Sequence, residues 1–344
     1  MKIKIFILAL IVLALPALAQ FDNAGTSSAN FLKIGVGSRA EAMAGAYVAQ
    51  ANDVSSIFWN VGSLAHLRQR EVMVSRTDWI LDVNLVSVAA NLPLGDNGAL
   101  GASVHVLSMD RIEETTPSAP EGTGITFPAG NLALGLAYSQ RLTDRFSLGV
   151  MGKYVNETVA NSRANGFALD FGTLYQTDFR GMKIGMSIAH FGTKMKLEGR
   201  EQLLRVDIDT GLGSNPDDTP ARLETEAWPM PLVFRFGIAM DVLRTGQQAL
   251  VANVDYFDYR DFAPGFCVGG EYAFNHLFFL RGGFRAITNA DNLDEDETKD
   301  LFPTFGAGLD LKYPKLAYRL RLDYSYSDLG RLSEVHRFTF GFVF

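Results

Sequence analysis

The chain has 344 residues, 47% hydrophobic and 20% charged, a formal net charge of −7 at pH 7 and a single cysteine, Cys267. That length bounds it to one or two domains, the acidic balance argues against a nucleic-acid partner, and one cysteine excludes an intramolecular disulfide. Composition alone describes an ordinary globular protein, so the information lies in the order of the residues.

Lys2 and Lys4 precede an apolar run from Ile5 to Leu15, and Pro16 then leads into Ala17-Leu18-Ala19. This is the pattern of a cleaved signal peptide over 1–19, which predicts an exported chain whose mature form begins at Gln20. The run is shorter than the roughly 20 residues a membrane-spanning helix needs, and no later stretch reaches that length. No cysteine follows the cleavage site to accept a lipid anchor.

Residues 20–69 do not alternate. Ser38 and Glu41 have the spacing of a capping box and are followed by Ala42, Met43, Ala46, Tyr47, Val48 and Ala49, which predicts a short helix. A second turn is expected from Asp53, ahead of the aromatic pair Phe58-Trp59. The segment is too apolar for a solvated tail and too short for an independent domain, which points to a plug inside a larger body.

From 70 to 344 the sequence resolves into about fourteen segments, each long enough to cross a bilayer as a tilted strand. They are 70–77, 82–93, 97–109, 130–141, 145–158, 165–177, 181–191, 231–242, 247–258, 265–274, 276–287, 303–312, 316–327 and 334–344. The even count returns the C-terminus to the side where the sheet began. In the fourth segment Leu132, Leu134, Leu136 and Tyr138 alternate with Ala133, Gly135, Ala137 and Ser139. In the eighth, Leu232, Phe234, Phe236, Ile238 and Met240 share one face and Arg235 takes the other. The thirteenth sets Leu316, Tyr318, Leu320, Leu322, Tyr324 and Tyr326 against Arg319, Arg321, Asp323 and Ser325. The last places Phe338, Phe340, Phe342 and Phe344 on a single face. So flat an apolar strand at the end of a chain would be an aggregation-prone edge in a soluble sheet, whereas a closed barrel in lipid removes the edge and faces the rings to acyl chains.

Tight connections alternate with longer ones. The tight set is 93–97, 142–145, 177–181, 243–247, 275–276 and 313–315; the other set is 109–130, 159–165, 192–230, 258–264, 288–302 and 328–333. In outer-membrane barrels the periplasmic turns are short and the outer loops long, which puts both ends in the periplasm. With odd strands running outward, Tyr138, Tyr175, Tyr272 and Tyr318 fall near the periplasmic rim and Tyr154, Tyr256 and Tyr324 near the outer one, as interfacial aromatic belts require. The fold class expected is therefore all-β: a fourteen-stranded antiparallel transmembrane barrel with a short helical N-terminal plug in its lumen, placed in the outer membrane of a Gram-negative-type bacterium and surrounded by outer-membrane lipid.

Inside that barrel the inward charges are Arg235, Arg281, Arg285, Arg319, Arg321 and Arg337, with Asp170, Asp255, Glu271, Asp310 and Asp323. Lumenal charges need partners, so the plainest role for them is mutual neutralisation and anchoring of the plug; a binding or permeation surface is the alternative. If the plug is lumenal, Arg39 needs an acid, and Asp53, Asp170, Glu271 and Asp323 are candidates. His66, His105, His190, His276 and His336 are scattered, and no motif joins a nucleophile to a base, so neither catalysis nor a cofactor is expected. Asp207, Asp209, Asp217 and Asp218 in the 192–230 loop leave calcium open beside a solvated acidic loop. The acidic run Asp291–Asp300 reads as a solvated outer loop.

At 31–49, FLKIGVGSRAEAMAGAYVA, and at 59–65, WNVGSLA, the chain resembles the PorV/PorQ family of FadL-like outer-membrane barrels, whose motif reads AMGGAYVA and then WNPAGLA. Ala44 replaces a glycine of that motif, and Val61, Gly62 and Ser63 replace its proline, alanine and glycine. The resemblance extends through Gly122-Thr123-Gly124, Phe191–Met195, Phe278–Gly283 and the last strand, and marks Gly35, Arg39, Met43, Gly45, Asp53, Trp59 and Asn60 as the plug motif. It implies a fourteen-stranded barrel with an N-terminal hatch. For PorV members it implies service in type IX secretion, with partners in the translocon, the attachment complex and cargo bearing a C-terminal sorting domain. FadL members instead pass hydrophobic small molecules such as long-chain fatty acids, which makes a hydrophobic ligand the alternative partner.

Overall fold

The structure, a computed structural model, describes residues 25–206, 219–287, 302–313, 318–330 and 334–344. The leader at 1–19, Leu316, the four loop aspartates 207, 209, 217 and 218, and the acidic run 291–300 lie outside the described residues.

Fourteen long strands form the wall: β1 (Glu71–Asp78), β2 (Asn84–Leu94), β3 (Gly98–Ser108), β4 (Ala129–Arg141), β5 (Phe146–Val159), β6 (Ser162–Gln176), β7 (Lys183–Gly192), β8 (Val233–Arg244), β9 (Gln248–Tyr259), β10 (Phe262–Phe274), β11 (Phe278–Ile287), β12 (Phe302–Tyr313), β13 (Tyr318–Asp328) and β14 (Glu334–Val343). Each pairs antiparallel with the next, and β14 returns to β1 in the register Glu71↔Val343 to Asp78↔His336. The ring is closed, and the mutual bonds between Arg70 and Phe344, 3.1 and 3.0 Å, fasten its seam. Closure satisfies the backbone groups that an edge would leave to lipid.

The faces follow the two-residue period. Phe338, Phe340, Phe342 and Phe344 are 40–56% exposed on the outside, while Val335, Arg337, Thr339 and Val343 between them are buried. Leu134, Leu136 and Tyr138 point out and Ala133, Ala137 and Ser139 point in. The single Cys267 is buried inward beside Ala46 and Phe257. The loops 109–128 and 193–232 leave one end, here the loop end; the turns at 95–97, 142–145, 245–247 and 275–277 leave the other, the turn end.

Two connections expected at 159–165 and 258–264 shrink to the two-residue turns Ala160-Asn161 and Arg260-Asp261, because β6 and β10 begin earlier than their alternation suggests. Ala160 carries a left-handed φ of 53°, as two-residue hairpin turns often use, whereas neither Arg260 nor Asp261 has a positive φ.

Residues 30–66 are irregular pieces: 3-10 turns at Asn30–Lys33, Val54–Phe58 and Val61–His66, and a single α-helical turn α1 (Ser38–Glu41). The short helix expected from Ser38 is a single turn that stops at Glu41, and the capping box is absent. Gly37 (φ 92°) is the N-cap, the Ser38 N–H donates to Thr339 Oγ1 at 2.9 Å, and Glu41 turns to arginines of the wall. The later turns are capped as short polar side chains allow: Asp53 accepts from Ser55 N and Asn60 from Gly62 N. The core lies between this segment and the wall, with Val54, Ile57, Val61 and Leu64 packed on Met73, Ala89, Ala99, Ala137 and Met151.

Candidate functional site: a filled lumen

The N-terminal segment fits because the inner face of the wall is stripped of side chains where it passes. A Cβ on Gly149 would stand 2.6 Å from the backbone carbonyl of Val61, and one on Gly172 2.8 Å from Gly62 N. Gly185 meets Val48 O at 2.5 Å, Gly283 meets the carbonyl carbon of Met43 at 2.5 Å, and Gly306 lies under Ala42. These glycines come from strands far apart in sequence, so alternation shows that the inner face is small and cannot show what occupies the space.

The motif residues form the body of this insert. Met43 is fully buried, Trp59 Nε1 donates to Val36 O at 2.9 Å, and Asn60 Nδ2 donates to Val48 O and to Thr173 O of β6, both at 2.9 Å. Gly35 leaves room for the Glu41 carboxylate, and Gly45 (φ 84°) turns the chain against Trp59 and Arg285. Ala44, which replaces a family glycine, holds φ 57°, a left-handed conformation that costs a Cβ-bearing residue about 1–2 kcal/mol.

Charge binds the insert to the wall in two clusters. In the first, Arg39 donates to Glu271 through Nε and Nη2, both at 2.7 Å, and to Asp53 at 2.8 Å and Asn52 at 2.6 Å through Nη1. Arg281 Nε shares Glu271 Oε2 with Arg39 Nε, at 2.7 Å, and Arg281 Nη1 reaches Asp323 at 2.6 Å. Arg321 spans Glu71 (3.3 Å) and Asp310 (3.2 Å), and Arg319 completes Asp310. Glu71 in turn accepts from Val54 N at 3.0 Å. In the second cluster Glu41 takes Arg337 at 3.1 Å and Arg285 at 3.6 Å. Of the four acids considered for Arg39, Asp53 and Glu271 meet it; Asp323 serves Arg281, and Asp170 binds Lys153 at 2.5 Å and the His190 N–H at 2.8 Å. Asp255 grips the insert's backbone, accepting from Tyr47 N and Val48 N at 2.7 Å each.

Burial alone would raise the Asp53 carboxyl and lower the Arg39 guanidinium. Their proximity outweighs it: Arg39, and then Arg321, hold Asp53 well below the usual carboxylate range, and Glu271 foremost raises Arg39. Burial pushes the Tyr47 hydroxyl well up, and burial together with Arg141, Lys183 and Arg68 brings His66 down to about 4.

Sequence reading missed Glu41, Glu71 and Lys153 as partners. Glu71 was within reach, since it shares the inward parity of Met73, Ser75 and Thr77; Glu41 was claimed by a capping motif that the backbone does not use.

The first described residues do not lie at the turn end, where β1 starts and β14 finishes. Lys33 Nζ reaches Asp261, in the β9–β10 turn, at 2.5 Å, and Ser28 N donates to Pro229 O, so 25–33 sits at the loop end. The expectation that both termini share the turn end therefore holds for β1 and β14 and fails for the described start of the chain. The segment descends from the loop end to the turn end before the barrel starts at Glu71.

On the loop side of the insert lies a cavity of about 280 Å³ bordered by Leu32, Ile34, Phe58, Trp59, Phe257 and Arg235.

Three comparisons bear on this architecture. No protein of curated function matches the chain. Among solved structures it resembles a Pseudomonas aeruginosa FadL homologue (12% identity, 90% of this chain and 98% of that one, TM-score 0.53). It also resembles the monoaromatic hydrocarbon channel CymD (11%, 90% and 96%, TM-score 0.54) and the Pseudomonas putida toluene transporter TodX (12%, 84% and 93%, TM-score 0.53). At such identities the likeness is one of fold, that of an outer-membrane barrel. Residues 18–217 match the family model described as type IX secretion system protein PorV. This chain belongs to the PorV family of outer-membrane β-barrel proteins of type IX secretion.

Proposed function

We propose that this protein serves type IX secretion as an accessory or shuttle in the outer membrane, escorting cargo with a C-terminal sorting domain toward surface attachment, and that it does so on its outside. The observation that carries the second half is the filled lumen: the N-terminal segment, locked by Arg39 and Glu41, leaves no bore for a polypeptide. Family membership supports the first half, and the loop 109–128 with the described residues 193–206 and 219–232 lies at one end, where a partner could settle. Deleting the gene should leave sorting-domain cargo retained in the cell, and restoring the full chain should return it to the surface. Unchanged cargo secretion in the deletion strain would end this reading.

A second reading, passage of hydrophobic small molecules, draws on the apolar cavity above the insert and on the channel-like neighbours. It predicts uptake of such compounds that falls in the deletion strain while cargo secretion stays intact.

A further inference from the structure

On the turn side of the insert lies a second cavity, of about 210 Å³. Gly181 of the β6–β7 turn, His276 of the β10–β11 turn and Arg244 at the end of β8 border it, and Arg39, Gln50 and Asn52 bring the insert into its lining. Its walls carry six basic side chains, Arg39, Lys183, Arg244, Arg281, Arg319 and Arg321, against four acidic ones, Asp241, Glu271, Asp310 and Asp323. Asp53 and Glu71, which pair with Arg39 and Arg321, do not border it.

Nearly every acidic oxygen here is already committed. Both Asp241 oxygens accept from Arg244, at 2.7 Å each. Glu271 accepts from Arg39, Arg281 and Gln50, and Asp310 from Arg319 and Arg321. Asp323 gives Oδ1 to Arg281 and keeps Oδ2. Donors are in surplus. Arg244 Nη1, Arg281 Nη2, Arg319 Nη1 and Arg321 Nη2 have no acceptor among the described residues. Lys183 Nζ has neither an acceptor nor a carboxylate within 4 Å among them. Lys183 lies opposite Ala239 in the ladder and shares the inward parity of Gly185, which meets Val48 O of the insert, so its side chain enters the lumen.

Spare charged donors, an excess of positive charge and a single spare acceptor are the complement of a ligand that accepts hydrogen bonds and carries more than one negative charge. The space is smaller than the roughly 300–1,000 Å³ of pockets for drug-sized molecules, so its occupant is compact. We propose that this cavity binds a compact divalent oxyanion of the phosphate or sulfate type, held by Lys183 and the free guanidinium nitrogens of Arg281 and Arg319. The insert contributes Arg39, Gln50 and Asn52 to the same cavity, so the bound anion ties insert to wall and favours the seated insert. The site involves neither cargo nor the loop-side cavity, and it stands or falls apart from both functional readings.

The full chain in neutral maltoside micelles is titrated by calorimetry, at constant ionic strength, with sulfate, inorganic phosphate, glycerol phosphate and nitrate. Sulfate and phosphate are expected to bind saturably and about tenfold more tightly than nitrate, and to raise the urea midpoint of unfolding. Glycerol phosphate separates the sources: binding tighter than phosphate favours a phosphate ester, weaker binding favours the free ion, and both support the site. Lys183→Gln should lose about tenfold, Lys183→Arg should recover part of the loss, and Arg111→Gln, in the loop 109–128, should bind as the native chain does. Nitrate matching sulfate, no saturation beyond the empty-micelle control, unchanged affinity in folded Lys183→Gln, or an equal loss in Arg111→Gln would each overturn the proposal. If Lys183→Gln does not fold, as judged by heat-dependent gel mobility, Arg244→Gln, at an exposed position, takes its place with the same loss expected.

Discussion

Gly149 and Gly152 stand three residues apart on β5 and face opposite ways, which makes the same substitution at both a controlled test of what fills the barrel. A Cβ at 149 would stand 2.6 Å from Val61 C and O and 2.7 Å from Gly62 N, whereas a Cβ at 152 meets nothing within 4 Å. Ordinary contact is about 3.5–4 Å, so Gly149→Val asks the insert to retreat by about 1 Å before the extra methyls are counted. The atoms in the way are backbone, held by the Asn60 cap and by Asn60 bonds to Val48 O and Thr173 O, so no rotamer change relieves them. Overpacking of this kind costs about 1–3 kcal/mol, and the rigidity of both sides argues for the upper half of that range. Gly152→Val should instead gain about 0.5–1 kcal/mol, since it replaces a flexible residue in a strand and adds an apolar group facing lipid. The measurement is reversible urea unfolding from lipid vesicles followed by tryptophan emission, with the two variants expected about 3 kcal/mol apart. If they differ by less than about 1 kcal/mol, the insert does not press on β5 as described.

Further expectations follow from the same geometry. Arg39→Met should cost about 3–5 kcal/mol because it strips Glu271 and Asp53 of a shared buried cation, and a cycle with Glu271→Gln should show coupling of more than about 1 kcal/mol; additive losses would deny the pairing. Ala44→Gly should stabilise by about 0.5–1 kcal/mol, since φ 57° suits glycine, and a loss of stability on urea unfolding would mean that the left-handed turn is wrong. His66, brought down to about 4 by burial and by Arg141, Lys183 and Arg68, binds fewer protons folded than unfolded between that value and the ordinary value of about 6.5. Stability should therefore fall as pH drops through this window, by about 3 kcal/mol at most and by less to the extent that solvent screens the partly exposed ring, with little dependence on His66 above pH 7, and His66→Gln should abolish that part of the slope.

The wall was legible in the sequence because each strand writes its own signal: Phe338 to Phe344 and Leu132 to Tyr138 fix a face within ten residues, and repetition does the rest. Strand starts were less legible at Ser162 and Phe262, since a two-residue hairpin can be built from Ala160-Asn161 or Arg260-Asp261 without a glycine or proline to announce it. The lumen was legible only in part. Arg39 could be recognised as needing an acid, and Asp53 and Glu271 were among the candidates, but which acid meets it depends on the depth at which the insert sits. The course of 25–33 to the loop end, the Glu41–Arg337 pair and the glycine seats depend on contacts between residues far apart in sequence, for which no local pattern exists. Arg235 looked like the other inward arginines in sequence, but it lies over the Trp59 and Tyr259 rings where they meet carboxylates.

Residues 30–65 fill the lumen of an otherwise complete barrel, and the proposed action on its outside requires that this filling closes it. Single-channel conductance in planar bilayers tests it most directly, because the strand ring and lipid face survive removal of the insert. The full chain should be silent, and the chain lacking 30–65 should insert and conduct steadily. A truncated barrel as silent as the full one, or a full chain that conducts, would contradict the account.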